Sequence, residues 1–492
     1  MTSHVTTPTA ISTRLKKVAL VAGHFVPSNL AAVHRSRLWS LHLREFGWEP
    51  IIVTTHWQYY EEKCEFELTQ LLPPDLKIIR TKALPTKPVR LVGDIGARAL
   101  LWHYRALVDL ARAKEVDFVH VTIPSGYSAV LGRLVMQQTG IPYGIDYIDP
   151  WVFTAPGSER LFSKAWASLR LAELLEPWAV KKAALISGIN RLYYAGVLER
   201  NPHLRDQAVM AEMPYGGSEK DHEYVRTHRR AAGLFAGHAG KFNLIYAGAM
   251  LPNAYDVLGR LFEGLALLRR RRPRLPQQFH LHFVGTGKSP NDPGGFNIYR
   301  HIERHGLGDC VSEHPQRFPY LEILTHLDAA SGILVLGSTD PHYSPSKIFQ
   351  SLMSRRPVLA LLHSRSSAVP ILEATNAAKV VTLTEDALPS PIELASRLEQ
   401  FIYENDYCES RVRWDVLERN SARESTRILA AALDESLARN APACPLGTHL
   451  AQPQPAQRII TASVPAAISA APFHRADSAC CSGDARDPRS PI

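Results

Sequence analysis

The amino-acid sequence predicts an α/β protein built as two facing, doubly wound Rossmann-like domains with a cleft between them. Three observations carry this reading. Short continuous apolar runs alternate with amphipathic stretches from residue 18 to 189, and a second series of the same layout runs from 242 to 404. Continuous apolar strands of this kind are buried on both faces, as in a parallel sheet. The length of 492 residues also exceeds one typical core and suits two domains of roughly 200 residues each.

The elements follow in order. VALVA at 18–22 is a first strand closed by Gly23, and AVHRSRLWSLHLREFG gives a helix ending at Gly47. PIIVTT at 50–55 is the next strand, DFVHVTI at 117–123 another, and SAVLGRLVMQQTG a helix before the strand PYGIDYI. Residues 180–189 lead into one more strand, which completes a domain over 15–200 behind a flexible N-terminus at 1–14. Residues 201–240 are polar with little periodicity and read as a linker with a small helix.

The second domain, 241–404, opens with FNLIYAG (242–248) and a helix at 255–271. HLHFVGTG (280–287), a helix at 297–306, a strand at 308–314 and a helix at 319–327 follow. GILVLG (332–337), the segment SPSKIFQSLMSRRPVLALL, KVVTL at 379–383 and a helix at 391–404 close it. Residues 405–438 read as terminal helices, and 439–492 as a disordered Ala/Pro-rich tail.

Composition narrows the function. A net charge of +9 is moderate for this length and suits anionic ligands or an anionic membrane surface. No zinc-finger, helix-turn-helix or aromatic-interleaved basic pattern suggests nucleic acid. The six cysteines show no CxxC spacing, which fits a reducing cytoplasm. No apolar run approaches the roughly 18 residues of a membrane span, so a cytoplasmic location is expected, with peripheral contact at the inner face of the membrane left open. The basic run LLRRRRPR (267–274) either complements a helix C-terminus or meets anionic lipid.

The segment at 344–362 holds the strongest chemical signal. Pro345 suits a first helical turn, and Ser346 and Lys347 then lie at a helix N-terminus, which attracts anions. Ile348, Phe349 and Leu352 form its apolar face, and Gln350 lies on the same short helix. Gly285 and Gly287 end one strand and Gly248 another, where backbone N–H groups can approach a phosphate. GIDYIDPW puts Asp146 and Asp149 at a strand terminus, suited either to a sugar hydroxyl and a proton or to loop amides. In AGHFVPSN, Gly23 and His24 face the expected cleft, with His24 either a substrate contact or a structural histidine. Arg35 and Arg37 point at the cleft or at solvent. No GxGxxG, P-loop, GxSxG, HExxH or Asp-x-Asp motif is present, so no metal site is expected.

Taken together, VALVAGHFVPSN, REFGWEPIIVTT, GIPYGIDYIDPWV, IYAGAM, FVGTG and SPSKIFQSLMSRRPVLA resemble, in order and spacing, the GT-B glycosyltransferases, in particular retaining family 4. The resemblance covers about residues 15–438. It implies a nucleotide-sugar donor held by the second domain at Gly248, Gly285, Gly287, Ser346, Lys347 and Gln350. It implies a glycan or lipid-linked acceptor entering over the first domain past Gly23, Asp146, His24 and Asp149, the last two being the catalytic candidates. Retention, metal independence and a place in cell-surface polysaccharide or glycoconjugate synthesis are likewise implications of the family, with no cofactor beyond the donor. Gln350 and His342 stand where the family usually has glutamates. The alternative is therefore a catalytically impaired GT-B protein that binds nucleotide sugar or acts as a scaffold.

Overall fold

Both apolar series become parallel sheets in the computed structural model, which describes residues 14–88, 92–124, 126–154, 157–228, 230–250, 252–287, 298–340, 345, 347–404, 406–440 and 459–460. The first sheet contains β1 (Lys16–Ala22), β2 (Trp48–Thr55), β3 (Lys77–Thr81), β4 (Phe118–Thr122), β5 (Tyr143–Tyr147), β6 (Leu185–Gly188) and β7 (Val209–Glu212). The second contains β8 (Phe242–Ala247), β9 (Phe279–Val284), β10 (Val311–His314), β11 (Gly332–Leu336), β12 (Val358–His363) and β13 (Ala378–Leu383). The two-residue β14 (Ile459–Ile460) pairs with β7. Strand order is β14-β7-β6-β5-β4-β1-β2-β3 in one sheet and β10-β9-β8-β11-β12-β13 in the other. In each sheet the order reverses direction at the first strand, β1 or β8, and ligand crevices form at the carboxyl ends of such strands.

Several expectations are corrected. KIIRT at 77–81 is a strand that the polar ends of the run concealed. The expected linker at 201–240 has its small helix, at Glu219–Thr227, but also contains β7, hydrogen-bonded to β6. Within 405–438, the helix Ala422–Asn440 returns to the first domain: Trp48 Nε1 donates to Asp434 at 2.9 Å and Ser436 Oγ to the Ala184 carbonyl at 3.2 Å. This crossing runs beside 214–217, where the Ala422 amide donates to the Gly217 carbonyl. Of the basic run, Arg269 pairs with Asp309 and Arg272 with Glu399, so that end of the helix Tyr255–Arg271 is tied into its own domain. Residues 1–13 and most of 441–492 lie outside the described residues. Among the described residues, no helix is long and apolar enough to cross a membrane.

The helix Ala31–His42 does not show one wet and one dry face, because residues 35–40 are all buried. Arg35 and Arg37 point neither at the cleft nor at solvent. Arg35 holds Asp146 through Nε at 2.5 Å and Nη2 at 2.8 Å, and donates to the Met213 carbonyl at 2.6 Å. Arg37 holds Asp221 through Nη2 at 2.5 Å and Nη1 at 3.0 Å. Tyr320 Oη donates to the same carboxylate at 2.7 Å. Burial alone would raise the Asp146 carboxyl, but the Arg35 guanidinium outweighs it and holds the pKa below the usual carboxylate value.

Asp146→Ala should therefore cost about 3–5 kcal/mol, because it strands a buried guanidinium. Since the folded carboxyl titrates below its unfolded counterpart, the pair's contribution is present above about pH 4 and is lost as pH falls below it. Urea denaturation of the wild type and the variant at neutral pH, and of the wild type on acidification, measures both effects.

Candidate active site

Two adjoining cavities, of about 410 and 310 Å³, lie where the two domains face each other. They share Ala31, Tyr215, Pro345 and Lys347, so Lys347 stands at their junction. The larger is floored by the ends of β8 and β9 and walled on the first-domain side by Asn29, His34 and Leu38. The smaller opens toward the end of β5, past Asp149, Asn190 and Tyr193.

Lys347 begins the seven-residue helix Lys347–Met353. Its ammonium runs back over the end of β8, 5.6 Å from the Tyr246 ring centroid. Gly248, with φ +152, makes this possible: a Cβ there would stand 1.2 Å from Lys347 Nζ. Lys347 is open to the water of the cleft, yet the surrounding walls, and after them the charge of Arg317, lower its pKa to about 8. Arg317 lies in the turn after β10 and donates to the Asn29 carbonyl of the opposite domain. No Asp or Glu is among the described residues that line the larger cavity. Two cations thus meet at a cavity whose described lining holds no carboxylate, with Glu65 and Glu62 acting on Arg317 from outside that lining, an arrangement that favours a bound anion.

The glycines act differently from the sequence reading. The Gly248 amide donates to the Val284 carbonyl at 2.7 Å, Gly285 to His314 at 2.8 Å and Gly287 to Pro315 at 3.1 Å. The Ile348 amide donates to the Pro345 carbonyl. These N–H groups are committed to the fold, so the glycines supply room and the side chains of Lys347 and Arg317 supply charge. Gln350 lines the larger cavity and lies 3.1 Å from His222 Nε2, while His222 Nδ1 lies 2.7 Å from Asp328. Ser346 and His342 lie outside the described residues.

On the first-domain side the candidates separate. Asp149 lines the smaller cavity, and burial raises its carboxyl above the ordinary value. Asp146 is fully buried against Arg35 and Ser187 and touches neither cavity, which corrects its assignment to the cleft. Gly23 is also buried; a Cβ would lie 2.7 Å from Ile95 Cγ2, so the glycine serves packing. His24 lines neither cavity: its ring lies tilted against that of Tyr60, centroids 4.8 Å apart, and faces Glu62 at 3.6 Å. Burial lowers its pKa against the pull of Glu62. Arg317, Tyr193 and Asn190 were not singled out from the sequence, although Arg317 does follow a strand end in HPQRFP.

No family model matches the sequence, and no curated protein matches it significantly. Solved structures do match in fold. Anabaena HepE, solved in complex with UDP and glucose, aligns with a TM-score of 0.54 at 16% identity, over 85% of this chain and 100% of that one. The chain has the GT-B fold. A glycosyltransferase from Rickettsia africae aligns at 0.55 and 12% identity, over 87% and 99%. A UDP-forming α,α-trehalose-phosphate synthase from Burkholderia xenovorans aligns at 0.53 and 13%, over 87% and 100%. At these identities the likeness concerns the fold alone.

Gly248→Ala should displace the Lys347 ammonium and lower affinity for inorganic pyrophosphate by about tenfold, one charge-assisted contact. The positive φ adds a fold cost of about 1–2 kcal/mol. Calorimetric titration and thermal melting of the variant separate the two effects.

Proposed function

We propose that the chain is a glycosyltransferase, moving a sugar from a nucleoside-diphosphate sugar to a hydroxyl acceptor. The observation that carries this reading is the pair Lys347 and Arg317 at an interdomain cavity whose described lining has no carboxylate. The GT-B fold, and the UDP and UDP-glucose that the HepE structures contain, support it. The diphosphate would lie against the two cations, with the nucleobase on the apolar wall that includes Tyr246 and Phe318. As the bond between the anomeric carbon and the diphosphate breaks, charge grows on the leaving oxygen, and fixed cations stabilise that state most. The acceptor hydroxyl would come through the smaller cavity, form the new bond to the anomeric carbon and release its proton. Asp149, with its raised pKa, is our candidate to receive it. Membership of retaining family 4, reaction without a metal, and a role in cell-surface polysaccharide or glycoconjugate synthesis in the cytoplasm are extensions of this reading from the sequence motifs.

A lipid-linked acceptor and peripheral attachment to the membrane find support in one surface. Leu161 and Phe162 are 71% and 87% exposed and are flanked in the sequence by Arg160 and Lys164, and Leu174 on the helix that follows is 72% exposed. Apolar and basic side chains so mixed suit an anionic bilayer surface. The second reading, a protein that binds nucleotide sugar without turning it over, is favoured by Gln350, an uncharged amide already engaged with His222.

Incubation with a panel of UDP- and GDP-sugars and an acceptor extract tests the function: transfer supports the enzyme, binding without transfer supports the second reading, and absence of binding contradicts both. Lys347→Ala should weaken affinity for the bound nucleotide sugar by about tenfold or more; unchanged affinity would remove it from the site. Gln350→Glu should preserve or tighten binding if that side chain meets the ribose. The free Lys347 loses its proton as pH rises through about 8. Affinity for a nucleotide sugar, whose diphosphate does not titrate in this range, should then fall by up to about tenfold between pH 7 and 9. Lys347→Arg, charged throughout, should flatten that profile.

A further inference from the structure

Away from the cleft, the second sheet carries a cluster of histidines that the transfer reaction does not use. His280 and His282 are two residues apart on β9 and so project from one face, and His238 ends the turn that leads into β8. One ring nitrogen from each lies within 4.8 Å of the others. Ring centroids are 3.8 Å apart for His238 and His280, 4.6 Å for His280 and His282, and 5.1 Å for His238 and His282. None of the three lines either cavity. We propose that His238, His280 and His282 bind one first-row divalent transition-metal ion, with Zn(II) the best fit.

The hydrogen bonds around the cluster decide which ring nitrogens keep a lone pair. Asn243 Nδ2 donates to the carbonyls of His238 and Lys241, which turns Oδ1 toward His282 Nε2 at 3.0 Å. An amide oxygen only accepts, so His282 carries its proton on Nε2 and keeps a lone pair on Nδ1, which lies 3.4 Å from Ser312 Oγ and would exchange that contact for the ion. Metal-binding imidazoles are commonly held this way, by an oxygen on the far nitrogen. His280 Nε2 is 3.1 Å from Ser312 Oγ, while Nδ1 of His280 and Nδ1 of His238 are buried without a partner. His280 is only 4% exposed, so that nitrogen has no water to turn to, and folding normally avoids such an orphan.

Three imidazoles suit zinc, copper, nickel or cobalt rather than calcium or magnesium. Zinc holds nitrogens at about 2.0–2.1 Å and therefore about 3.4 Å from each other in a tetrahedron, so the rings must draw together. His238 is the member free to do so: it is half-buried, and its neighbour Gly237 has open space around it. Its exposed edge also gives the ion an entry path, and a water completes the fourth position. The ion would tie the end of the 201–240 segment to β9.

The test uses the full chain freed of metal by a chelator and titrated with ZnSO4, with Co(II) as a spectroscopic probe. The wild type should take up one equivalent, melt at a higher temperature with zinc, and show the visible absorption of tetrahedral Co(II) without thiolate charge transfer. His238→Ala should weaken binding by at least about tenfold and abolish the melting shift. Because His238 is half-buried, this variant keeps the fold; near-UV circular dichroism checks that, and His238→Gln serves if it does not. No stoichiometric uptake, uptake unchanged in His238→Ala, or a thiolate band would overturn the proposal. None of these outcomes depends on whether the cleft transfers sugar.

Discussion

The cleft depends on one helix held by two buried ion pairs. Ala31–His42 lies in the first domain, yet its arginines grip carboxylates far along the chain: Asp146 is 111 residues from Arg35, and Asp221 is 184 from Arg37. Asp221 belongs to the helix Glu219–Thr227, and Tyr320, on the second domain, donates to it as well. The same short helix reaches the second domain through His222 and Arg226, both bonded to Asp328. One carboxylate therefore sets the first domain, the connecting segment and the second domain against each other. Asn29 and Ala31, at the start of the gripped helix, are also cleft walls. Buried pairs of this kind add little net stability over apolar packing, but they penalise any other arrangement strongly.

Within that frame, the cleft divides its labour between shape and charge. Gly248, Gly285 and Gly287 keep the strand ends low and spend their amides on carbonyls of the fold. Lys347 starts a helix and Arg317 lies in a turn, and together they bring positive charge to a cavity whose described lining has no carboxylate. An anion entering there would raise the Lys347 pKa from its lowered value, which is the binding free energy seen from the proton's side. Gln350 presents an uncharged amide to the larger cavity, and its contact with His222 links the cleft to the connecting helix.

The fold was largely legible because parallel strands buried on both faces must be continuous apolar runs, and the run repeats in two series. β3 and β7 were missed for the complementary reason: KIIRT has polar ends, and VMAE is four residues in a polar stretch. Lys347 and Gly248 were legible from their strand and helix boundaries. The roles of Arg35, Arg37 and Asp146 were not, since a buried ion pair is invisible until its distant partner is known. The use of the glycine amides was hidden likewise, because a glycine at a strand end shows freedom of conformation and not where its N–H points. Arg317 carries charge in a turn and looks like any solvated arginine until the opposite domain closes over it.

The most direct test of this account is the structure of the chain with UDP bound. The account predicts the diphosphate in the larger cavity, in contact with Lys347 and Arg317, with Gly248 beside it and the base against the apolar wall. A diphosphate bound elsewhere, or one in the cavity that neither cation touches, would contradict it.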